Sequence, residues 1–383
     1  MASQRQIAAT VLEPRPRRCP RPLPLGTAPT VASAPAGEFA PLVGPGVLHL
    51  HVPSEVTAAK IRRWLETERQ PSVRRADCFS IAIKSADPGA FIARLQRILT
   101  PTEQAATRAL FQPTGRDLTL SDYFAMQSLD GLLARQEGAW LVALLAREGL
   151  AMHFQPIVAA SDRRLFAYEC LMRGDEAGAL VPPSRMLEVA RRAELSHRLD
   201  AAARQAAFRA TAQHGVQAKV FVNFSAAAIY DPMVCLANTI EIITSLGLPR
   251  EQFVFEAVES AEGEDLGHLR ALLDCFRRAG FAVALDDLTA GYDSLRRLEA
   301  LTPDFIKLDM EIISGVDRDP YKGLIAARLL ETARRMGIKT VAEGVETAAE
   351  FAWARDHGAD FVQGFYLAHP ACPPPRLTTI ARA

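Results

Sequence analysis

From residue 153 to residue 366, short apolar runs alternate with longer stretches in which apolar positions recur every three or four residues. Runs of the first kind read as strands buried on both faces, the pattern of parallel sheets covered by helices, and stretches of the second kind read as amphipathic helices. The pattern predicts eight strands, at 152–158, 165–172, 220–224, 253–258, 281–285, 305–310, 340–345 and 361–366. Helices are predicted between them, over 183–193, 200–214, 232–246, 266–279, 324–336 and 348–357. Five of these run into Gly215, Gly247, Gly280, Gly337 or Gly358, the residue that helix C-termini prefer. Strand and helix in turn, eight times over, specify an α/β fold of the (β/α)8 type rather than an open sheet. No good helix follows the first strand, so a modified barrel is expected.

The N-terminal third is patterned differently. Residues 1–45 are rich in Pro, Ala and Arg and are expected to be a disordered tail. Residues 46–120 read as a small α/β domain with a strand at 47–52, a helix at 55–68, a strand at 78–84 and a helix at 90–111, regulatory or structural in role. A helix over 122–148, with Leu133, Trp140, Leu141, Leu144 and Leu145 on its apolar positions, forms a linker of residues 121–150. The barrel then occupies 151–372 and a short tail 373–383. His49 and His51 share one strand face, as a metal pair would, but no third ligand stands nearby and an ordinary half-exposed strand face is the favoured reading.

Composition narrows the function. Lys and Arg together number 44, as do Asp and Glu, so no net field draws the chain to DNA or to a membrane surface. Its six cysteines form no C-x-x-C pair and read as reduced thiols. The longest apolar run, 140–146, is too short to span a bilayer, and a cytoplasmic location is expected.

Chemistry gathers at the strand ends. The fifth barrel strand ends in Asp286 and Asp287, two like charges at the rim of an apolar core. Taken alone, such a pair begins a solvated turn. The other strands repeat the pattern: Glu169 on the second, Asn223 on the third, Glu256 and Glu259 on the fourth, Lys307 and Asp309 on the sixth, Glu343 and Glu346 on the seventh and Gln363 on the eighth. In a (β/α)8 barrel these ends converge on one site. Hard oxygen donors without paired His or Cys select Mg²⁺ or Mn²⁺ over zinc. So many carboxylates suggest two ions bridged by an aspartate, an arrangement suited to attack on a phosphodiester.

In these residues the chain resembles the EAL domain of bacterial cyclic-di-GMP phosphodiesterases. Phe154-Gln155-Pro156-Ile157-Val158 resembles the family's FQPIV, and Glu169-Cys170-Leu171-Met172-Arg173 stands for its EALLR. Asn223-Phe224-Ser225 resembles N-x-S, Glu256 to Glu259 resembles E-x-T-E, and Asp286 to Ser294 corresponds to DDFGTGYSS. Lys307-Leu308-Asp309 stands for K-I-D, Ala342 to Glu346 reproduces AEGVE, and Gln363-Gly364-Phe365 resembles QGY. The resemblance implies a TIM-type barrel with two Mg²⁺ or Mn²⁺ ions on Glu169, Asn223, Glu256, Asp286, Asp287 and Glu343. It makes Lys307, Glu343 and Glu169 catalytic, with Lys307 orienting and deprotonating water, and has Arg173, Gln155 and Gln363 serve the substrate. Glu259 would tether the loop after Asp287. Cyclic di-GMP would be hydrolysed to linear pGpG by a homodimer, with a protein partner for the N-terminal domain.

The match has departures. Cys170 replaces alanine at a position that strand alternation turns away from the ligand side. Val258 replaces the threonine of E-x-T-E, Thr289 stands at a glycine position and Asp293 adds charge to the same loop. A loop impaired in this way leaves a second function open, that of a degenerate EAL domain acting as a cyclic-di-GMP receptor or protein-interaction module.

Overall fold

The computed structural model describes residues 44–115, 126–176, 178–229, 231–258, 265–288 and 292–376, with residues 42, 119, 122 and 124 besides. Of residues 135–137, 287, 292, 293 and 295 it describes the backbone alone. The expected N-terminal tail lies almost wholly outside the described residues, as do positions 377–383.

The N-terminal unit is an antiparallel sheet of β1 (Gly46–His51), β2 (Ser72–Arg75), β3 (Cys78–Ile83), β4 (Arg108–Pro113) and β5 (Gln127–Ser128), in the order β2-β3-β1-β4-β5. Leu48 and Leu50 alternate inward from β1 to meet the helix Glu55–Thr67, which buries Ala58, Ile61 and Leu65 at helical spacing behind its Ser54 cap. The single helix expected over 90–111 is instead the helix Pro88–Gln96, the short helix Pro101–Ala106 and β4. Thr100 and Pro101 start a new helix and so end the first, while Ala109 and Phe111 are buried with the period of a strand. The helix expected over 122–148 also divides, at Gly138, into Leu129–Glu137 and Ala139–Ala146. Leu129, Leu132 and Leu133 belong to the N-terminal core, and Leu141 and Leu144 pack against Val181, Met186 and Leu199 of the barrel half. His49 spends both ring nitrogens across the strands, on Ser80 (3.1 Å) and Gln112 (2.9 Å), which accounts for it without a metal.

All eight expected barrel strands are present: β6 (Leu150–Ala159), β7 (Leu165–Glu176), β9 (Lys219–Phe224), β10 (Phe253–Ala257), β11 (Ala282–Leu288), β12 (Phe305–Leu308), β13 (Lys339–Ala342) and β14 (Phe361–Gln363). A short β8 (Ala179–Val181) pairs with the far end of β7. The sheet closes through β6, which runs antiparallel to both β7 and β14 while β7 and β9 to β14 are mutually parallel. A hairpin therefore replaces the first crossover helix, which is the modification the sequence indicates.

Alternation along the strands builds the interior in layers. Ile157, Ala167, Phe221, Val254, Ala284, Phe305 and Val341, with Phe361 against them, form one apolar cluster. The next same-facing position toward the strand ends, two residues on, is Glu169, Asn223, Glu256, Asp286, Lys307, Glu343 or Gln363, and on antiparallel β6 it is Gln155, two residues back. The polar set thus sits on an apolar floor. Residues at the alternate positions, such as Tyr168, Cys170, Val222, Phe255 and Leu285, face the opposite way into the core beneath the helices, where Phe255 and Phe276 stack at 4.3 Å. Cys78, Cys170, Cys235 and Cys275 are free thiols as expected, whereas Cys372 is disulfide-bonded, against the expectation of reduced thiols throughout. Among the described residues no helix is long and apolar enough to cross a membrane.

Candidate active site

Lys307 stands at the centre of the polar layer, its side chain 1% exposed. Its Nζ lies 2.5 Å from Glu343, 2.7 Å from Glu256, 3.2 Å from Glu169 and 3.4 Å from Asp286. Residues from five strands, far apart in sequence, thus meet within ion-pair distance. Four carboxylates face one ammonium, so the layer is short of positive charge unless some acids bind protons or a cation is supplied.

Titration behaviour reflects that shortage. Burial, and then the charge of Asp286, push the Glu256 carboxyl well above its ordinary range against the pull of Lys307. Burial does the same to Glu343, which is pushed up to about 8 with Asp286 and Glu169 adding to the shift and Lys307 opposing it. Glu169 behaves oppositely. Burial raises it too, but Lys307, Gln363 and Asn223 together outweigh burial and hold it below the usual carboxylate range. Burial alone would lower the Lys307 ammonium, and the surrounding acids, Asp286 first, instead raise it well above normal. Lys307 is therefore a firmly held ammonium in this state, and it acts as a base only after the acids are otherwise neutralised.

An amide girdle orients Glu169. Asn223 Nδ2 donates to Glu169 Oε1 at 3.0 Å, and Gln363 Nε2 donates to Oε2 at 2.6 Å. Gln363 Nε2 also lies 3.0 Å from Gln155 Oε1, while Gln155 donates weakly to the Ala368 carbonyl at 3.4 Å. Gln155, expected near the substrate, is buried and braces Gln363. Arg173 lies four residues beyond Glu169 on the same face of β7, half-buried, with Nη1 on the Met172 carbonyl.

Two glycines beside Glu343 and Gln363 permit close approaches. Gly344 has φ +64 and a Cβ there would strike Met310, and a Cβ at Gly364 would strike the Val345 backbone. Glu350, which the sequence reading passed over, locks the same loops: it accepts from Gly315 N at 2.8 Å, Glu346 N at 2.9 Å and Thr347 N at 3.0 Å. Its signal was the capping box formed with Thr347. Of the remaining strand-end acids, Asp309 caps the short helix Met310–Ile313 and Glu346 is exposed, so neither joins the cluster. Asp287 is described by its backbone only, and Glu259 and Thr289 lie outside the described residues.

The donors suit a hard dication. Both Glu256 oxygens are completely buried without a hydrogen bond, Oε1 making only its ion contact with Lys307. A buried carboxylate oxygen with no hydrogen-bond donor, Oε2 here, in a layer of other acids is the chemistry of a cation site. Among the described residues no three acidic, histidine or cysteine side chains form an open cage, because Lys307 Nζ stands where they converge.

Comparison with known proteins follows the same lines. The model of the EAL domain family matches residues 138–370. The cyclic di-GMP phosphodiesterase NbdA of Pseudomonas aeruginosa is 28% identical over 233 residues, 59% of this chain and 29% of that protein. A standalone EAL protein from Vibrio cholerae, solved with bound c-di-GMP, is 31% identical with a TM-score of 0.55 over 60% of this chain and 95% of its own. BlrP1 of Klebsiella pneumoniae, solved with manganese and c-di-GMP, is 19% identical with a TM-score of 0.52 and overlaps 85% of this chain and 96% of its own, a fold likeness wider than the family match. Among the curated relatives reported in these matches, this chain spans 28% to 46% of their length.

Proposed function

The chain belongs to the EAL domain family, and from that premise we propose that its barrel mouth is a metal-dependent active site that hydrolyses cyclic di-GMP, opening one 3′,5′-phosphodiester bond to give linear pGpG. The observation that carries this reading is the unbalanced charge, four carboxylates converging on a single ammonium with Glu256 Oε2 buried and given no hydrogen bond. NbdA, named as a phosphodiesterase of this nucleotide, and the Vibrio cholerae structure with c-di-GMP bound support the substrate.

Glu169, Asn223, Glu256, Asp286, Asp287 and Glu343 would hold two magnesium or manganese ions. Bound there, such ions supply neutralising charge for the phosphodiester and a water made more acidic. Asn223 and Gln363 fix both oxygens of Glu169, so that carboxylate meets its ligand already oriented. Lys307 donates N–H bonds in its charged form, so it orients the attacking water and stabilises the negative charge that develops on it. Its service as general base waits on neutralisation of the four acids around it. Arg173 would grip a non-bridging phosphate oxygen. A cytoplasmic site of action, homodimerisation through the barrel and a partner-binding or regulatory N-terminal unit complete the proposal.

A second reading, a receptor that binds cyclic di-GMP with little turnover, is favoured by the altered loop sequence Thr289-Ala290-Gly291-Tyr292-Asp293. One experiment separates the two. Purified protein is incubated with cyclic di-GMP and Mg²⁺ or Mn²⁺ and the product is followed by chromatography. Linear product that is lost in Glu169→Ala supports the enzyme, and tight binding without product supports the receptor.

A further inference from the structure

The helix Ser196–Gln213 carries a buried ion pair that the reading above does not use. Asp200 and Arg204 stand one turn apart, their side chains 9% and 8% exposed, with Arg204 Nη1 bonded to Asp200 Oδ2. Arg204 Nη2 reaches the Cys235 sulfur at 3.3 Å, on the helix Pro232–Ser245. The other carboxylate oxygen, Asp200 Oδ1, accepts from the backbone N–H of Ser225 at 2.9 Å.

Ser225 is the second residue after Asn223, at the point where β9 ends. Asn223 is the residue whose amide holds Glu169 Oε1. Between them, the Phe224 carbonyl accepts from Val258 N at 3.2 Å, two residues beyond Glu256. One carboxylate oxygen therefore fixes the backbone from which two members of the polar layer depart. The turn that follows is held separately, by His268 Nε2 at 2.9 Å from the Ile229 carbonyl. Stability alone accounts poorly for the ion pair, because an apolar pair of similar volume often serves a buried site as well. Direction accounts for it better: Arg204 takes Oδ2, which leaves Oδ1 aimed at Ser225.

We infer that Asp200, oriented by Arg204, is a positioning residue for the end of β9, acting on Asn223 and through Phe224 on Glu256 without touching ion or substrate. Its consequence for metal affinity rests on the metal-dependent reading above. Its contact with Ser225 does not.

Two double variants that remove the same charges test it. Asp200→Asn with Arg204→Met keeps an amide oxygen for Ser225, and Asp200→Leu with Arg204→Met removes it. Manganese affinity is measured by electron paramagnetic resonance, Ser225 amide exchange by mass spectrometry and thermal midpoints by circular dichroism. The leucine pair is expected to exchange Ser225 faster and to lose manganese affinity by ~10-fold or more, the scale of lost outer-shell support. The asparagine pair keeps an acceptor for Ser225 but loses the orientation that Arg204 gives it, so its exchange and its manganese affinity should fall between those of the wild type and the leucine pair. Should the leucine pair not fold, Asp200→Ser with Arg204→Met takes its place, since the shorter hydroxyl falls short of Ser225. Equal exchange in the two pairs overturns the inference, as does equal manganese affinity despite unequal exchange. If the wild type takes up no manganese, the metal reading fails, and the exchange comparison still decides whether Asp200 holds the end of β9.

Discussion

Replacing Lys307 by methionine keeps most of the side-chain volume and deletes the one ammonium among Glu169, Glu256, Asp286 and Glu343. Removing one partner of a buried ion pair costs about 3–5 kcal/mol, because a charge is left uncompensated. Here the acids can take up protons, which makes the penalty depend on pH. The folded Glu343 carboxyl is raised from 4.5 to about 8, so the metal-free wild type loses stability as pH rises through that window. The slope is ~1.4 kcal/mol per unit for one proton. Lys307 opposes that shift, so without it the folded value moves higher still and the loss continues above pH 8. The difference between Lys307→Met and wild type should therefore be smallest near pH 6 and approach ~4 kcal/mol near pH 9, within the range for a broken buried pair. Urea unfolding in EDTA at the two pH values measures it. Adding Mg²⁺ to 100 times its dissociation constant should return ~2.7 kcal/mol by mass action. A difference that is under ~1 kcal/mol at pH 9, or flat between pH 6 and 9, would refute the idea that the ammonium compensates the acids, since it would fall outside the cost of uncovering a buried charge.

Other outcomes follow from neighbouring contacts. Glu350→Gln leaves one oxygen for three backbone N–H donors and should destabilise by about 1–3 kcal/mol, measured by urea unfolding. Backbone bonds hold the folded Glu350 carboxyl below 4.5, so its contribution is present at neutral pH and is lost as pH falls below that value, a dependence that Glu350→Gln should abolish. Gly364→Ala drives a methyl group into the Val345 backbone and should lower the thermal midpoint by several degrees together with turnover, since the β13 and β14 loops must part. Arg173→Ala should raise KM for cyclic di-GMP ~10-fold or more at unchanged stability, as loss of a charge-assisted phosphate contact implies. Thr289→Gly should raise turnover or metal affinity, and no change in either would show that the loop sequence is no handicap.

The barrel was legible because its strands are nearly continuous apolar runs closed by charged or amide residues, and that contrast survives without any neighbour in view. The period of two then placed Glu169, Asn223, Glu256, Asp286, Lys307, Glu343 and Gln363 on one layer, each two residues beyond an apolar floor residue. The N-terminal unit was less legible. Leu110 and Phe111 satisfy a helix as readily as a strand when each is read locally, and only pairing of β4 with β1 decides between them. Long-range contacts left no local mark at all. The bond from Asp200 to Ser225 joins positions 25 residues apart, and Lys307 as the hub of four acids appears only when five strands are brought together.

The central claim is that the mouth is short of positive charge and takes up hard cations to make good the deficit. A crystal grown or soaked in manganese, read by anomalous scattering, addresses it most directly. The account predicts two ions within coordination distance of Glu169, Asn223, Glu256, Asp286, Asp287 and Glu343, with Lys307 Nζ drawn away from at least some of the carboxylates it now meets. An empty mouth at saturating manganese, with Lys307 still clasped by all four acids, would contradict it.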